Sequence, residues 1–229
     1  MINLPTTVPL PRHGSNFDLT HRFNGNLRQG TLREQASDLF GIDRGAVVGF
    51  EYRYGIARHV QAAVYRTTFD KTFQFHGKYD AIAQGASLPF AISAVVSVEG
   101  TANFTENRAP AVGASLARTV ADRAALYATP LWVHNSAAAS GVTRDTFVLG
   151  LGGRVRVRPT VLLVAEIAPR LAGYEPGRPA FGVGIEKRAG RHLFQLNVSN
   201  TQGTTYGQIA RGGFADTLHL GFNLVRKFY

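Results

Sequence analysis

The stretch LHLGFNLVRKFY, residues 218–229, decides the fold class because apolar and polar side chains alternate along it. Successive side chains of a β-strand point to opposite faces, so this alternation predicts a strand with one apolar and one polar face. The apolar phase consists of Leu218, Leu220, Phe222 and Leu224. The polar phase consists of His219, Gly221, Asn223 and Lys227.

The same period-two alternation recurs along nearly the whole chain and predicts about twelve strands. The predicted strands are 15–24, 45–54, 60–67, 72–82, 89–99, 111–119, 124–134, 144–157, 160–169, 179–187, 191–199 and 216–228. Only residues 31–40 have the spacing of a short amphipathic helix. Tight turns alternate with mostly longer polar joins. We therefore predict an all-β fold, a closed antiparallel transmembrane β-barrel with short periplasmic turns and longer outer loops. It forms a single domain over 1–229, in which residues 1–14 are a periplasmic lead-in.

The composition fits a membrane barrel and excludes several chemistries. Of the 229 residues, 45% are apolar and 17% are charged, below the roughly 25% charge of soluble domains. The sequence has no cysteine, which excludes disulfides and thiolate chemistry. No apolar run approaches 18 residues, so no transmembrane helix is predicted. Residue 1 is followed by no basic and apolar leader, so we expect a mature form whose signal peptide has been removed.

Charges of both signs lie in the polar phase of the predicted strands, as expected of a water-facing lumen. The predicted lumen-lining charged residues are Asp18, Arg22, Glu51, Arg53, Lys78, Asp80, Arg154, Arg156, Glu166 and Glu186. An unpaired charge in a confined interior is costly. We therefore expect nearly complete pairing across neighbouring strands, for example Glu51 with Arg22 and Arg156 with Glu166.

The apolar phase predicts the surface that faces lipid. Its predicted members include Phe50, Phe75, Leu149, Leu196 and Leu220. Aromatic residues near strand ends suit interfacial girdles, namely Phe23, Tyr54, Phe73, Trp132, Tyr174, Phe181 and Phe228. A soluble sandwich that buries its apolar face is the alternative fold.

Several stretches carry a family resemblance. They include Ile-Asn-Leu-Pro at 2–5 and Phe-Asp-Leu-Thr-His-Arg-Phe at 17–23; the others are 38–43, 66–72, 78–79, 192–200 and 220–224. With these stretches the chain resembles a family of bacterial outer-membrane β-barrel proteins, grouped as a domain of unknown function. The resemblance covers nearly the whole chain and implies the barrel fold, but it assigns no catalytic residue.

The resemblance also bears on both ends of the sequence. In such relatives residues 2–5 closely follow a signal peptide. Outer-membrane barrels commonly end on an aromatic residue that the barrel-assembly machinery reads. Similarity to them therefore implies an assembly role for the last strand, carried by Phe222, Leu224, Phe228 and Tyr229.

Other motifs carry little chemistry. His134-Asn135-Ser136 suggests a lipase nucleophile and base, but no orienting group is evident. The seven histidines are scattered without ligand spacing, so no metal site is expected. Gly150 to Gly153 lies in a strand, where its glycines make room for large neighbours inside the barrel or permit curvature. We therefore expect no enzyme activity and no cofactor.

Two functions are compatible with the predicted barrel. The first is a narrow channel for small anionic solutes, because Lys and Arg exceed Asp and Glu by 25 to 15. The alternative is a non-conducting scaffold that docks a partner protein, such as an electron carrier, through residues 25–44 and 200–215. Expected partners in either case are outer-membrane lipid, lipopolysaccharide and the barrel-assembly machinery. No nucleic acid is expected, because basic and aromatic side chains are not clustered on one face.

Overall fold

A computed structural model of the chain, which describes residues 1–85, 88–136, 144–173 and 178–229, is a closed antiparallel β-barrel. Its strands are β1 (Ser15–Phe23), β2 (Ala46–Ala57), β3 (Val60–Thr67), β4 (Phe73–Ile82), β5 (Ala91–Gly100), β6 (Glu106–Val120), β7 (Ala124–Val133), β8 (Thr146–Arg158), β9 (Val161–Ala168), β10 (Arg170–Ala172), β11 (Ala180–Ala189), β12 (His192–Ser199) and β13 (His219–Phe228).

The barrel closes between its first and last strands, with Ser15 of β1 opposite Phe228 of β13. Both β9 and β10 pair with β8. They form one strand interrupted at Pro169, because proline has no amide hydrogen for the ladder. Counted this way, the described residues form twelve strands. The prediction of a closed antiparallel barrel of twelve strands is therefore confirmed.

Strand β6 differs most from its predicted bounds, since it begins at Glu106 rather than at 111. The predicted strands leave Pro110 in the join between residues 99 and 111. It instead lies opposite Val98 of β5, and its carbonyl accepts a hydrogen bond from the His134 amide at 2.9 Å. The join between β5 and β6 is thus only the short turn that contains α2 (Thr101–Phe104).

Short helices lie in the joins. They are α1 (Leu32–Ser37), α2 (Thr101–Phe104) and α3 (Tyr206–Ala210), with 3₁₀ turns at Leu39–Arg44 and Phe69–Lys71. The helix predicted within 31–40 is confirmed as α1, which begins with a capping box between Thr31 and Glu34. Hydrogen bonds from the Thr31 amide and hydroxyl lower the pKa of Glu34. None of the helices among the described residues is long and apolar enough to cross a membrane.

The outer surface of the barrel is apolar along the predicted phase. Phe50, Phe75 and Leu196 are exposed there, and Leu149 and Leu220 are half-buried. Among the predicted girdle residues, Tyr54, Trp132 and Phe228 are exposed near strand ends; Tyr174 lies outside the described residues. The side chains at the alternate strand positions are polar and point into the lumen.

Candidate functional site in the barrel lumen

Within the described part of the chain, two segments occupy the lumen. We call residues 1–10 the N-terminal segment and residues 200–218 the inner loop. The barrel end with the tight turns, such as 190–191, is the turn end, and the other is the loop end. The N-terminal segment joins β1 at the turn end and folds back into the barrel, where Ile2, Leu4 and Leu10 are buried. The sequence predicts residues 1–14 as a periplasmic lead-in. In the structure residues 1–10 lie inside the barrel, where their apolar side chains are removed from water.

A single carboxylate holds the start of the N-terminal segment. Glu166 accepts hydrogen bonds from the amides of Ile2 at 2.9 Å, Asn3 at 2.8 Å and Leu4 at 3.3 Å. The fully buried Arg22 guanidinium donates to the Asn3 side-chain oxygen at 3.0 Å. Hydrogen bonds to a charged group contribute about 1.5–3 kcal/mol each, and these contacts hold the segment against β9 and β1.

Other wall residues bind the backbone carbonyls of the N-terminal segment. The Lys78 ammonium donates to the carbonyls of Thr6 at 2.9 Å and Val8 at 2.7 Å. Ser115 donates to the Pro5 carbonyl at 3.0 Å. The segment is thereby tied to β4 and β6 as well.

Glycines in β8 and β11 make room for the N-terminal segment. A Cβ atom at Gly150 would lie 2.7 Å from the Leu4 side chain, and one at Gly182 would lie 3.0 Å from the Ile2 side chain. A Cβ at Gly152 would collide with Met1. The interpretation that the glycines at 150–153 accommodate large neighbours is confirmed for Gly150 and Gly152, and these neighbours belong to the chain's own N-terminal segment.

The inner loop fills the lumen from the loop end. Its helix α3 begins with a capping box between Thr205 and Gln208, and the Gly207 amide donates to the buried Glu99 carboxylate at 2.9 Å. Ile209 and Ala210 belong to an apolar cluster on the inner wall, whose other buried members include Val95, Leu131, Val133 and Val148. The sequence predicts residues 200–215 as a long join that, in the scaffold alternative, docks a partner protein; the structure places α3 of this loop against the inner wall instead. The Thr-x-x-Gln capping box at 205–208 was the readable signal of its helix.

Tyr65 links the inner loop to the barrel wall. Its hydroxyl lies 2.6 Å from the Thr20 hydroxyl and 2.7 Å from the Thr204 hydroxyl. Gly49 faces this buried ring, and a Cβ there would collide with the tyrosine.

We expect Gly49→Ala to destabilise the barrel by about 1–3 kcal/mol, since the added methyl group overpacks the site of Tyr65. The matched control is Gly77→Ala in β4, where a Cβ would lie 3.4 Å from its nearest neighbour. Urea unfolding in micelles, followed by the fluorescence of the single tryptophan, measures both variants. Equal stabilities would contradict the placement of Tyr65.

A cavity of about 330 Å³ remains beside these segments and extends to the turn end. The N-terminal segment, Thr204 and Tyr206 line one side of it. Its charged lining contains more cations than carboxylates. The cations are Arg53, Lys78, Arg154, Arg188, Arg191 and Lys227, and the carboxylates are Asp18, Glu51 and Glu186.

Three of these cations are neutralised by ion pairs. The pairs are Arg53–Glu51 at 2.5 Å, Lys78–Asp80 at 2.9 Å and Arg188–Glu186 at 2.9 Å. For the other three, Arg154, Arg191 and Lys227, the described residues provide no ion pair. Asp18 is the lining carboxylate that also forms no ion pair with the described residues. Because three such cations outnumber it, the cavity carries an excess of positive charge toward the turn end.

The ion pairs that we expected between Glu51 and Arg22 and between Arg156 and Glu166 are wrong. The observed pairs of Arg or Lys with a lumen carboxylate instead join positions i and i+2 of one strand, which share a face and need no particular strand order. His76 of β4 lies 3.7 Å from Glu51 of β2. Glu166 is occupied by the amides of the N-terminal segment. Ion pairing among the described lumen residues is also incomplete. One reason is that Glu166 binds the N-terminal segment instead of a cation.

The predicted lumen residues separate into groups in the structure. Those lining the cavity are Asp18, Glu51, Arg53, Lys78, Arg154 and Glu186. Arg22 and Glu166 contact the N-terminal segment, and Asp80 pairs with Lys78. Arg156 is exposed near the turn end and does not line the cavity. The assembly role of Phe222, Leu224, Phe228 and Tyr229 stays a prediction.

The lipase motif is not assembled as a nucleophile and base. The Ser136 hydroxyl is buried 2.6 Å from the Thr146 hydroxyl, whereas His134 contacts Asp145 at 2.6 Å. Within the described part of the chain, no three His, Asp or Glu side chains are grouped to hold a metal ion. The expectations of no enzyme activity, no cofactor and no metal stay predictions.

The chain was compared with models of protein families. The model described as "Membrane bound beta barrel domain (DUF5777)" matches residues 1–228. The chain belongs to this family. The DUF5777 match extends over the N-terminal segment as well as the barrel, and it establishes the protein as a membrane-bound β-barrel. A comparison with curated proteins finds no match to the chain.

Solved porin structures are similar to this DUF5777 barrel. The KdgM porin aligns with a TM-score of 0.61 at 9% identity, covering 93% of this chain and 99% of the porin. The NanC porin aligns with a TM-score of 0.62 at 7% identity, covering 93% and 100%. The COG4313 outer membrane channel from Pseudomonas putida F1 aligns with a TM-score of 0.53 at 14% identity, covering 96% and 97%. A second KdgM structure is a complex with disordered oligogalacturonate. At these identities the likeness establishes a porin-like fold.

Proposed function

We propose that this DUF5777 barrel is a narrow channel for small anionic solutes in the bacterial outer membrane. The observation that carries the proposal is the cavity of about 330 Å³ inside the barrel, with its surplus of cationic side chains. Small-ligand sites commonly measure about 300–1,000 Å³, so the cavity suits a solute of monosaccharide size. A folded partner protein would not fit in it.

Electrostatics favour anions in this lumen. Low-dielectric walls focus the field of charges that line a cleft, which raises the local concentration of ions of opposite sign. Arg154, Arg191 and Lys227 are the cations available for this role, because they form no ion pair within the described residues and outnumber Asp18, a carboxylate of the lining that also forms none. Charged side chains in a narrow lumen also set ion selectivity.

The porin likeness supports a channel without specifying a solute. KdgM has been observed with oligogalacturonate, a chain of carboxylate-bearing sugars. An acidic sugar has the charge and size that the cavity favours. The alternative of a non-conducting scaffold that docks an electron carrier has no support among the structural likenesses, and we do not propose it.

The orientation and partners follow from the same proposal. The tight turns, with the turn end of the cavity, face the periplasm, and the longer loops face outward, as in bacterial barrels of this kind. Outer-membrane lipid and lipopolysaccharide surround the wall. The barrel-assembly machinery reads the strand that ends at Phe228 and Tyr229.

We expect liposomes that contain the purified barrel to swell faster in a uronate sugar than in the neutral sugar of the same size. The surplus positive charge of the cavity is the reason, because it concentrates the anion. The measurement is the initial swelling rate by light scattering, with protein-free liposomes as the control. Equal swelling rates would contradict the proposed preference for anions. Swelling in neither sugar would contradict the proposed channel function.

A further inference from the structure

We propose that the lumen wall forms a binding groove for an extended peptide, and that the N-terminal segment occupies it as a tethered blocker. In this arrangement occupancy of the groove sets the flux of solutes through the barrel. The inference rests on the channel proposed above and adds its regulation. The groove is formed by β8, β9 and β11 on one side and by Lys78, Ser115 and Asn223 on the other.

The shape of the groove is specific for the segment. Gly150, Gly152 and Gly182 all face the lumen where Leu4, Met1 and Ile2 lie, and a Cβ at any of them would meet those side chains at 3.0 Å or less. In barrels of about eight strands the wall's own inward side chains fill the interior. Here the wall omits them and the segment supplies the missing apolar volume.

The polar side chains of the groove form hydrogen bonds with the peptide backbone of the segment. Glu166 binds three successive amides, at residues 2–4. The carbonyl of Ile2 accepts from the Asn223 amide group at 3.1 Å, and the carbonyls farther along accept from Ser115 and Lys78. Side chains of the wall thus satisfy both the amides and the carbonyls of an extended chain, which is how a groove recognises a peptide independently of most of its sequence.

The position of the segment lets it control flux. Residues 1–6 and 8–10 all line the solute cavity, so their withdrawal would enlarge that cavity directly. The inner loop differs, because its helix α3 packs into the apolar cluster of the wall. In addition, Thr204 of the loop is hydrogen-bonded to Tyr65. We therefore assign the fixed constriction to the inner loop and the displaceable one to the N-terminal segment.

The test is single-channel recording in planar bilayers of the wild-type chain and a variant that lacks residues 2–10. We expect the deletion to raise the conductance several-fold. A synthetic peptide with the sequence of residues 1–10, added from the turn end, should return it to the wild-type level. The control peptide carries aspartate in place of Leu4, whose side chain lies against Gly150, and should not block.

Glu166→Ala tests the same inference in the full-length chain, with Glu106→Ala as its control. Both changes remove one carboxylate, but Glu106 is exposed and does not line the cavity, whereas Glu166 holds the segment. Only Glu166→Ala should raise the conductance and the frequency of open events. Heat-modifiable mobility on a gel checks that every variant is folded.

The outcomes separate the two proposals. If wild type and the deletion variant conduct equally and the peptide has no effect, the blocker is wrong and the channel stands. If neither conducts although both are folded, the channel proposal is wrong, and so is the blocker proposal that rests on it. If Glu166→Ala and Glu106→Ala change the conductance equally, the groove does not hold the segment as we propose.

Discussion

Replacement of Leu196 by arginine is expected to lower the free energy of unfolding by about 2–4 kcal/mol, the cost of arginine on a barrel's lipid face near the bilayer midplane. Leu196 lies in the middle of β12 on the outer surface and is 56% exposed. Its neighbours Gln195 and Asn197 are buried toward the lumen. Urea titration of the barrel in phospholipid vesicles measures the change.

The control for this prediction is Val157→Arg near the end of β8. Val157 is 51% exposed on the same surface, but it lies beside the turn at 159–160, where arginine costs about 0–1 kcal/mol. The two positions are matched in exposure and differ in depth. A soluble sandwich would tolerate arginine equally at both, so equal stabilities would contradict a lipid-facing surface at Leu196.

A triple change of Arg154, Arg191 and Lys227 to glutamine is expected to remove the preference for anions. These are the cavity cations for which the described residues provide no ion pair. Because a cleft lined by one sign of charge concentrates counter-ions by about tenfold or more, the ratio of uronate to neutral-sugar swelling should fall by about that factor. The measurement is the liposome swelling rate in each sugar.

The matched control changes three exposed cations that do not line the cavity, Arg156, Arg158 and Lys187. It removes the same net charge from the protein. We expect it to leave the swelling ratio close to that of wild type. The same loss of preference in both triple variants would mean that overall charge, rather than the cavity, selects the solute.

The strands could be predicted from sequence because the barrel imposes period two on the chain wherever lipid and lumen lie on opposite faces. Residues 192–199 show this clearly: Phe194 and Leu196 face outward while Gln195 and Asn197 face inward. The bounds of β6 were harder, since Pro110 satisfies the ladder with its carbonyl alone.

The contents of the lumen could be predicted only in part. Which charges face inward follows from strand phase, and the role of Gly150 and Gly152 was correctly interpreted as making room. The occupant was missed because residues 1–10 have no period-two or helical pattern, and their place depends on contacts with residues more than 100 positions away. The pairing of Glu166 with backbone amides could not be derived from charge counting for the same reason.

The reversal potential of the wild-type barrel in a planar bilayer measures whether the protein is an anion-preferring channel. The recording uses a tenfold gradient of potassium chloride across the membrane. We expect discrete conductance steps that reverse on the chloride side of zero, because the cavity cations that form no ion pair with the described residues line the path. Steps that reverse on the potassium side, or a folded barrel that stays silent at every voltage, would mean that the barrel is not such a channel.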